Sequence, residues 1–432
     1  MQALTRHGPR VAISLLPLLL GMLHVFGLLP LGGLQRLDDL LYDARLRWTM
    51  PATLDERVVI VDIDEKSLAE LGRWPWSRDR VADLVDTLFE RHGVALLGFD
   101  TVFAEPDDSS GLRQLERLAQ GELKEQEAFA EQVARLRPQL DLDARLAKAL
   151  HGRPVVLGFY FSNESGTRTG ALPSPVLVPA DLQGKPLPAT SWTGYGANLP
   201  ALAAAAPLAG FFNAVPGADG MVRSLPLLAE HDGAYYESLA LALFRARTGL
   251  PAVQPRFPSR SIESAEYDIP QSITLHKDGV SLDIPVDDRL AVLVPFRGPG
   301  GPQGGSFRYV SASDVLAHRV APDALRGRIV LLGTTAPGLL DLRATPVGEA
   351  YPGVETHANL LTALMDGRWI SRPDYAAGYE LVVLLVSGLV LAIGLPLLNA
   401  VRAVALSLGV MAALVGLNTW LYLGHGLALP LA

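Results

Sequence analysis

The chain has 432 residues, 49% of them hydrophobic, and a formal net charge of −8; such a length holds roughly two or three domains of ordinary size. No basic run or tail supplies the clustered Lys and Arg that neutralise phosphates, so nucleic acid is not an expected partner. Cysteine is absent, which excludes disulfides, thiolate metal sites and a cysteine nucleophile.

Residues 11–31, VAISLLPLLLGMLHVFGLLPL, are apolar with a single histidine and match the length of about 20 residues that crosses a bilayer. Arg6, His7 and Arg10 precede them and place residues 1–10 in the cytoplasm. A cleaved signal peptide is the competing reading, but its apolar core runs only about 7–15 residues and ends on small residues, which LGGLQRL does not offer. An uncleaved anchor is therefore expected. LQRLDDLLYDARLRW spaces Leu34, Leu37, Leu41, Ala44 and Trp48 at helical intervals and predicts an amphipathic helix leaving the membrane.

RVVIVDID is a continuous apolar run of the kind found in buried strands. SRDRVADLVDTLFERHG predicts a helix from a Ser77 N-cap to Gly93, and VALLGFD a second strand. Strand, helix and strand with short links form a βαβ unit, with the two strands expected to be parallel. Helical spacing recurs in LRQLERLAQ, EAFAEQVARL and LDARLAKAL, and RPVVLGFYF resumes the sheet. Residues 163–210, rich in Pro, Gly and Ala, are expected to be a long surface excursion. GFFNAVPGADGMVRSLPLL reads as two strands joined by a turn at Asp219-Gly220, and YYESLALALFRAR as a helix. ITLHKDGVSLDIPV predicts a hairpin around Asp278-Gly279, and RLAVLVPFRG another strand. VSASDVLAHRV reads as a short helix, RIVLLGTT as a buried strand, and GVETHANLLTALMDG as a helix running back towards the membrane.

Residues 381–398 and 403–423 are two further apolar runs, apolar on every face, separated by a turn ending at Arg402. Trp369, Tyr375, Tyr379, Trp420 and Tyr422 fall at one interface. Counting crossings puts residues 32–374 outside the cytoplasm. GHGLALPLA, residues 424–432, reads as the start of a further span, and so predicts a longer protein. The expected architecture is α/β: one large mixed-sheet extracytoplasmic domain flanked by one N-terminal and at least two C-terminal transmembrane helices, in contact with membrane lipid.

Asp62, Asp64 and Asp100 end the two expected parallel strands, the edge where open α/β sheets bind ligands. With Glu105, Asp107 and Asp108 they form either a polar-ligand or divalent-cation rim, or caps and ion pairs with Arg73, Arg78 or Arg80. Trp74-Pro75-Trp76 leaves the first strand. Proline would set its indoles on opposite faces, for packing over the sheet edge or for stacking on a ligand. Thr334, Thr335 and Asp341 bound a Gly/Pro-rich loop that either holds an anion or is satisfied by its own threonines. Glu355 and His357, two apart on a helix, point away from each other. No nucleophile elbow, zinc-protease helix or phosphate loop is present, and no catalytic residue is expected. The enzyme alternative is an extracytoplasmic metal-dependent hydrolase on Asp62, Asp64 and Asp100.

VVIVDIDEKSLAELGRWPWSRDRVADLVDTL, LLGFDTVFAEPD, GFFNAVPGADGMVRSLPLL and GRIVLLGTTAPGLLDLRATPVGEAYPGVETHANLL, taken in order, resemble the type-two CHASE domain, over roughly residues 38–370. That resemblance implies the extracellular sensory domain of bacterial cyclases and histidine kinases, held in the inner membrane and detecting an unknown ligand or protein. The insertion SSGLRQLERLAQGELKEQEAF with RPQLDLDARLAKAL resembles the branch fused to class III adenylate/guanylate cyclases. It implies a magnesium-dependent output domain beyond Ala432, no cofactor within this chain, and a homodimer.

Overall fold

The computed structural model describes residues 2–29, 32–164, 166–182, 185–258, 269–336, 338–339, 341–373 and 375–431. Leu31, Asp374 and Ala432, the expected ends of the first span, of the sensor domain and of the chain's last segment, lie outside them. The chain divides into two compact units: Pro51–Ile284 with Asp288–Gly367, and Met1–Met50 with Pro285–Asp287 and Arg368–Ala432.

The larger unit is a mixed α/β domain around an eight-stranded sheet. Its strands are β1 (Asp55–Ile63), β2 (Leu96–Phe99), β3 (Val155–Ser162), β4 (Arg168–Thr169), β5 (Gly194–Gly196), β6 (Ala209–Phe211), β7 (Phe307–Ser311) and β8 (Ile329–Thr334). The order is β7-β1-β8-β2-β3-β5-β4, with β6 also paired to β3. From β7 to β3 all neighbours are parallel. Parallel strands covered on both faces need apolar side chains on both, and β1 has them: Val58, Val59, Ile60, Val61 and Ile63 are all buried.

One face of the sheet is covered by α3 (Glu65–Leu71), α4 (Arg78–Asp86), the helix Leu142–Leu150 and α6 (Ala312–Leu316). Val81, Leu84 and Val85 of α4 join Val59, Val61, Leu97, Phe99, Val330 and Leu332 in one core. The other face carries α5 (Leu239–Arg247) and α7 (Gly353–Asp366). Glycine allows the close approach there. A Cβ on Gly333 of β8 would lie 2.5 Å from Val354 Cβ of α7, and one on Gly98 of β2 would lie 2.8 Å from Leu243 of α5.

The strands β1 and β2 are parallel as expected, with β8 between them. Several expectations are corrected. The helix expected to reach Gly93 is α-helical only to Asp86 and widens to π-geometry over Thr87–Arg91. Ser77 makes no side-chain cap; the Arg78 N–H donates to Asp107 Oδ2 at 2.6 Å instead. The segments around Asp219-Gly220 do not form a hairpin: β6 pairs with β3, and Ser224–Pro226 with Ala291–Leu293. Tyr235 to Glu237 lie in strand Ala234–Glu237, so α5 starts only at Leu239. The expected excursion after Asn163 is no loose loop, since it buries Leu177, Leu187, Asn198 and Leu202. The Asp278-Gly279 hairpin forms as expected, with both residues at positive φ.

The smaller unit contains α1 (Gln2–Val25), α2 (Gly32–Thr49), α8 (Ala376–Leu397) and α9 (Ala400–His425). Only α8 and α9 are long and apolar enough to cross a membrane, among the described residues; within α1 these include a shorter apolar stretch, Leu15–Val25. Helix α1 ends at Val25, short of the expected end of the first span. Gly27 takes φ +70°, and Leu28 N–H bonds to Leu23 O while Gly27 N–H bonds to His24 O. This is a Schellman C-cap, which closes the helix.

Candidate functional site

The C-terminal edge of the parallel strands is where the predicted acids sit, and each has its own set of partners. Asp62, at the end of β1, is buried and accepts from the Thr335 N–H (2.9 Å, Oδ1) and the Thr335 hydroxyl (2.5 Å, Oδ2). Burial raises its pKa to about 6; the Thr335 bonds pull the other way, and nearby Asp64 adds to the rise. The Thr335 N–H and hydroxyl are thus both taken up by the protein's own Asp62 carboxyl. Thr334 is buried at the end of β8. Asp64 caps α3, accepting from the Ser67 N–H at 2.8 Å, and also accepts from the Ser311 hydroxyl at 2.9 Å. A carboxylate at a helix N-terminus satisfies a free N–H there. Both of its bonds therefore serve the joint between β1, α3 and β7.

Both indoles of the tryptophan corner pack on the sheet's core. Trp76 is buried in the core, and its Nε1–H donates to Gly72 O at 2.9 Å. Trp74 packs against the same core, partly exposed, and the Trp74-Pro75 bond is cis. The indoles were expected on opposite faces; instead they meet edge to face at 5.4 Å. Beside them, buried Arg78 lies 4.6 Å over the Phe103 ring and donates to the Glu105 carbonyl at 2.9 Å. The Glu105 side chain itself is exposed.

A second group forms where α7 begins. Twelve consecutive residues of α7, Gly353 to Leu364, are buried, four of them Glu355, Thr356, His357 and Asn359. Glu355 accepts from Tyr309 Oη (2.6 Å), Tyr351 Oη (3.0 Å) and the Gly301 N–H (2.6 Å). Asn359 Nδ2 donates to Tyr351 Oη at 2.8 Å, and Asn359 Oδ1 accepts from the Arg297 N–H at 2.9 Å. Burial raises the Glu355 pKa against these bonds. His357 points elsewhere, as its spacing from Glu355 requires: its Nε2 lies 3.8 Å from Asp100 Oδ1. Burial lowers its pKa to about 4, with Arg343 adding to the fall. Asp100 is raised well above the usual carboxylate range by burial and then by Asp341, which burial itself raises to about 6.

Asp62, Asp64 and Asp100 thus belong to three separate partner sets. Among the described residues no group of three or more His, Cys, Asp or Glu side chains could hold a metal ion. The polar network of α7 was missed from sequence, although GVETHANLL carries a signal for it. Four polar residues crowd two turns that lead straight into an apolar run, which a solvated helix face has no reason to do.

A family profile described as the CHASE2 domain matches residues 19–394. No curated protein and no solved structure matches the chain.

Proposed function

The chain belongs to the CHASE2 domain family, and on that premise we propose that its larger unit is a sensor outside the cytoplasm that regulates an enzyme inside, a class III adenylate or guanylate cyclase. The observation carrying this reading is that buried α7 is followed along the chain by the membrane-length helices α8 and α9. A signal acts only by favouring one of two states. A helix buried on every side responds to rearrangement of the sheet or of the α7 polar network, and the chain runs on from it into α8. In this reading α1, which carries Arg6, His7 and Arg10 before its apolar stretch, is a third span, the protein sits in a bacterial inner membrane, and two copies pair to build the cyclase site.

The test is topology together with output. Reporter fusions after Phe211 are expected to be active only outside the cytoplasm, and fusions at Asn399, between α8 and α9, only inside. The product of the whole reading frame is expected to make a cyclic nucleotide with magnesium. A cytoplasmic Phe211 fusion would overturn the sensor reading; a product with no cyclase activity would overturn the output assignment alone.

A further inference from the structure

A cavity of about 660 Å³ opens between the last turn of α5, the strand Ala252–Arg256 and the segment around the 3-10 helix Pro179–Leu182. Its size is that of a small-molecule site, which sets a few placed polar groups among apolar walls. Val176, Leu177, Val253 and Phe257 supply such walls. Three charged side chains line it as well: Lys185, Arg245 and Asp181.

Arg245 is the informative one. Its side chain is 13% exposed and is held by two bonds, from Nε to the Pro251 carbonyl at 2.8 Å and from Nη1 to Glu237 Oε1 at 2.5 Å. Glu237 is buried, and its Oε2 has no hydrogen-bond partner among the described residues. A guanidinium that meets a carboxylate fork to fork spends two nitrogens on the two oxygens. Here the pair makes one bond, and Arg245 Nη2 has no acceptor among the described residues. Buried polar groups are as a rule paired. A donor fixed at a cavity wall and left over by the protein is therefore one that a ligand oxygen can take.

The charges point the same way. Asp181 is committed to its own turn, where Oδ2 accepts from the Val178 N–H at 2.8 Å. Lys185 adds a second cation, with its Nζ 5.8 Å from the centre of the Phe257 ring. Two cations thus face one acid in the lining. Glu237 offsets part of the Arg245 charge from behind the wall, so a singly charged group matches what remains better than a dianion does.

We propose that this cavity binds a small organic carboxylate: its oxygens accept from Arg245 Nη2 and Lys185 Nζ, and its apolar body lies against Val253 and Phe257. The proposal rests on the sensor reading above and names the class of its signal. Helix α5 carries Arg245 and packs on α7, so the site adjoins the helix that leads along the chain to α8.

The test is hexanoate binding to the full chain in lipid nanodiscs, followed by saturation-transfer NMR, with hexanol as the uncharged control and empty nanodiscs as background. Hexanoate is expected to bind saturably, and at least about tenfold more tightly than hexanol, because its oxygens make charge-assisted bonds. R245K keeps a cation for Glu237 but loses the spare arm, and is expected to weaken hexanoate by about tenfold. K185M keeps an apolar stem without the charge, and is expected to weaken it by about threefold or more. Should R245K not fold, K185M decides, because it leaves the Arg245–Glu237 pair intact. No saturable hexanoate signal above empty nanodiscs, equal binding of hexanol, or parental affinity in either variant would each overturn the site. If hexanoate binds as expected but a cyclase read from the same protein does not respond to it, the site stands and its role in sensing falls.

Discussion

The pairing of Asp62 with Thr335 shows how one residue's charge is tied to one loop. Asp62 is raised to about 6, mainly by burial. Its contribution to stability is thus fully present below the ordinary carboxyl range and is lost as pH rises through about 6. Thr335 opposes that loss, because its N–H and hydroxyl both bond the carboxyl and favour the charged form. Thr335→Ala removes the hydroxyl while leaving the backbone donor. The expected cost is about 1–3 kcal/mol at pH near 7.5, and clearly less near pH 5, where Asp62 carries its own proton. Denaturant unfolding of the full chain at the two pH values measures the difference. An equal loss at both would mean that the hydroxyl does not stabilise the carboxylate.

Among the elements, α1 and α8 present a contact that can be locked. Gly388 of α8 receives Leu18 of α1, and Gly21 of α1 receives Leu384 of α8. Small residues at such crossings let two helix backbones approach closely. A Cβ on Gly388 would lie 3.4 Å from Leu18 Cβ, close to the spacing of about 3.5–4.5 Å that a disulfide spans. The chain has no cysteine, so Leu18→Cys with Gly388→Cys is expected to cross-link within one chain under mild oxidation. A mobility shift reversed by reductant reports it; two free thiols under the same conditions would refute the helix pair. Much at this scale was legible beforehand. β1, β8, α7 and the Asp278-Gly279 hairpin announce themselves by apolar runs, helical period and turn residues. The three-residue strands β6 and Ser224–Pro226 are legible as strands too, but not their partners, because their pairing is set by distant segments rather than local pattern. The insertion of β8 between β1 and β2 is likewise a long-range choice. No local period encodes it.

For the whole molecule, the sequence located the acids at the sheet edge but not how they are shared out. Strand ends are visible in a pattern, whereas the meeting of Asp100, Asp341 and His357 depends on three segments far apart in the chain. That meeting gives the fold a pH dependence with two opposing parts. The raised carboxyls Asp62, Asp100 and Asp341 favour the folded state as pH falls. His357 does the reverse: held neutral with a pKa of about 4, it must go without the proton that an unfolded histidine takes up near 6.5. Folded stability is therefore lost on its account as pH falls from about 6.5 to about 4. His357→Gln keeps a neutral polar side chain and removes this term. The variant is expected to be less stable than the parent at pH 7.5, through lost packing. It should gain on the parent progressively on acidification, by up to about 3 kcal/mol at pH near 4. Thermal unfolding of both proteins across that range provides the measurement. A constant gap between the two curves would show that His357 titrates alike in folded and unfolded chains.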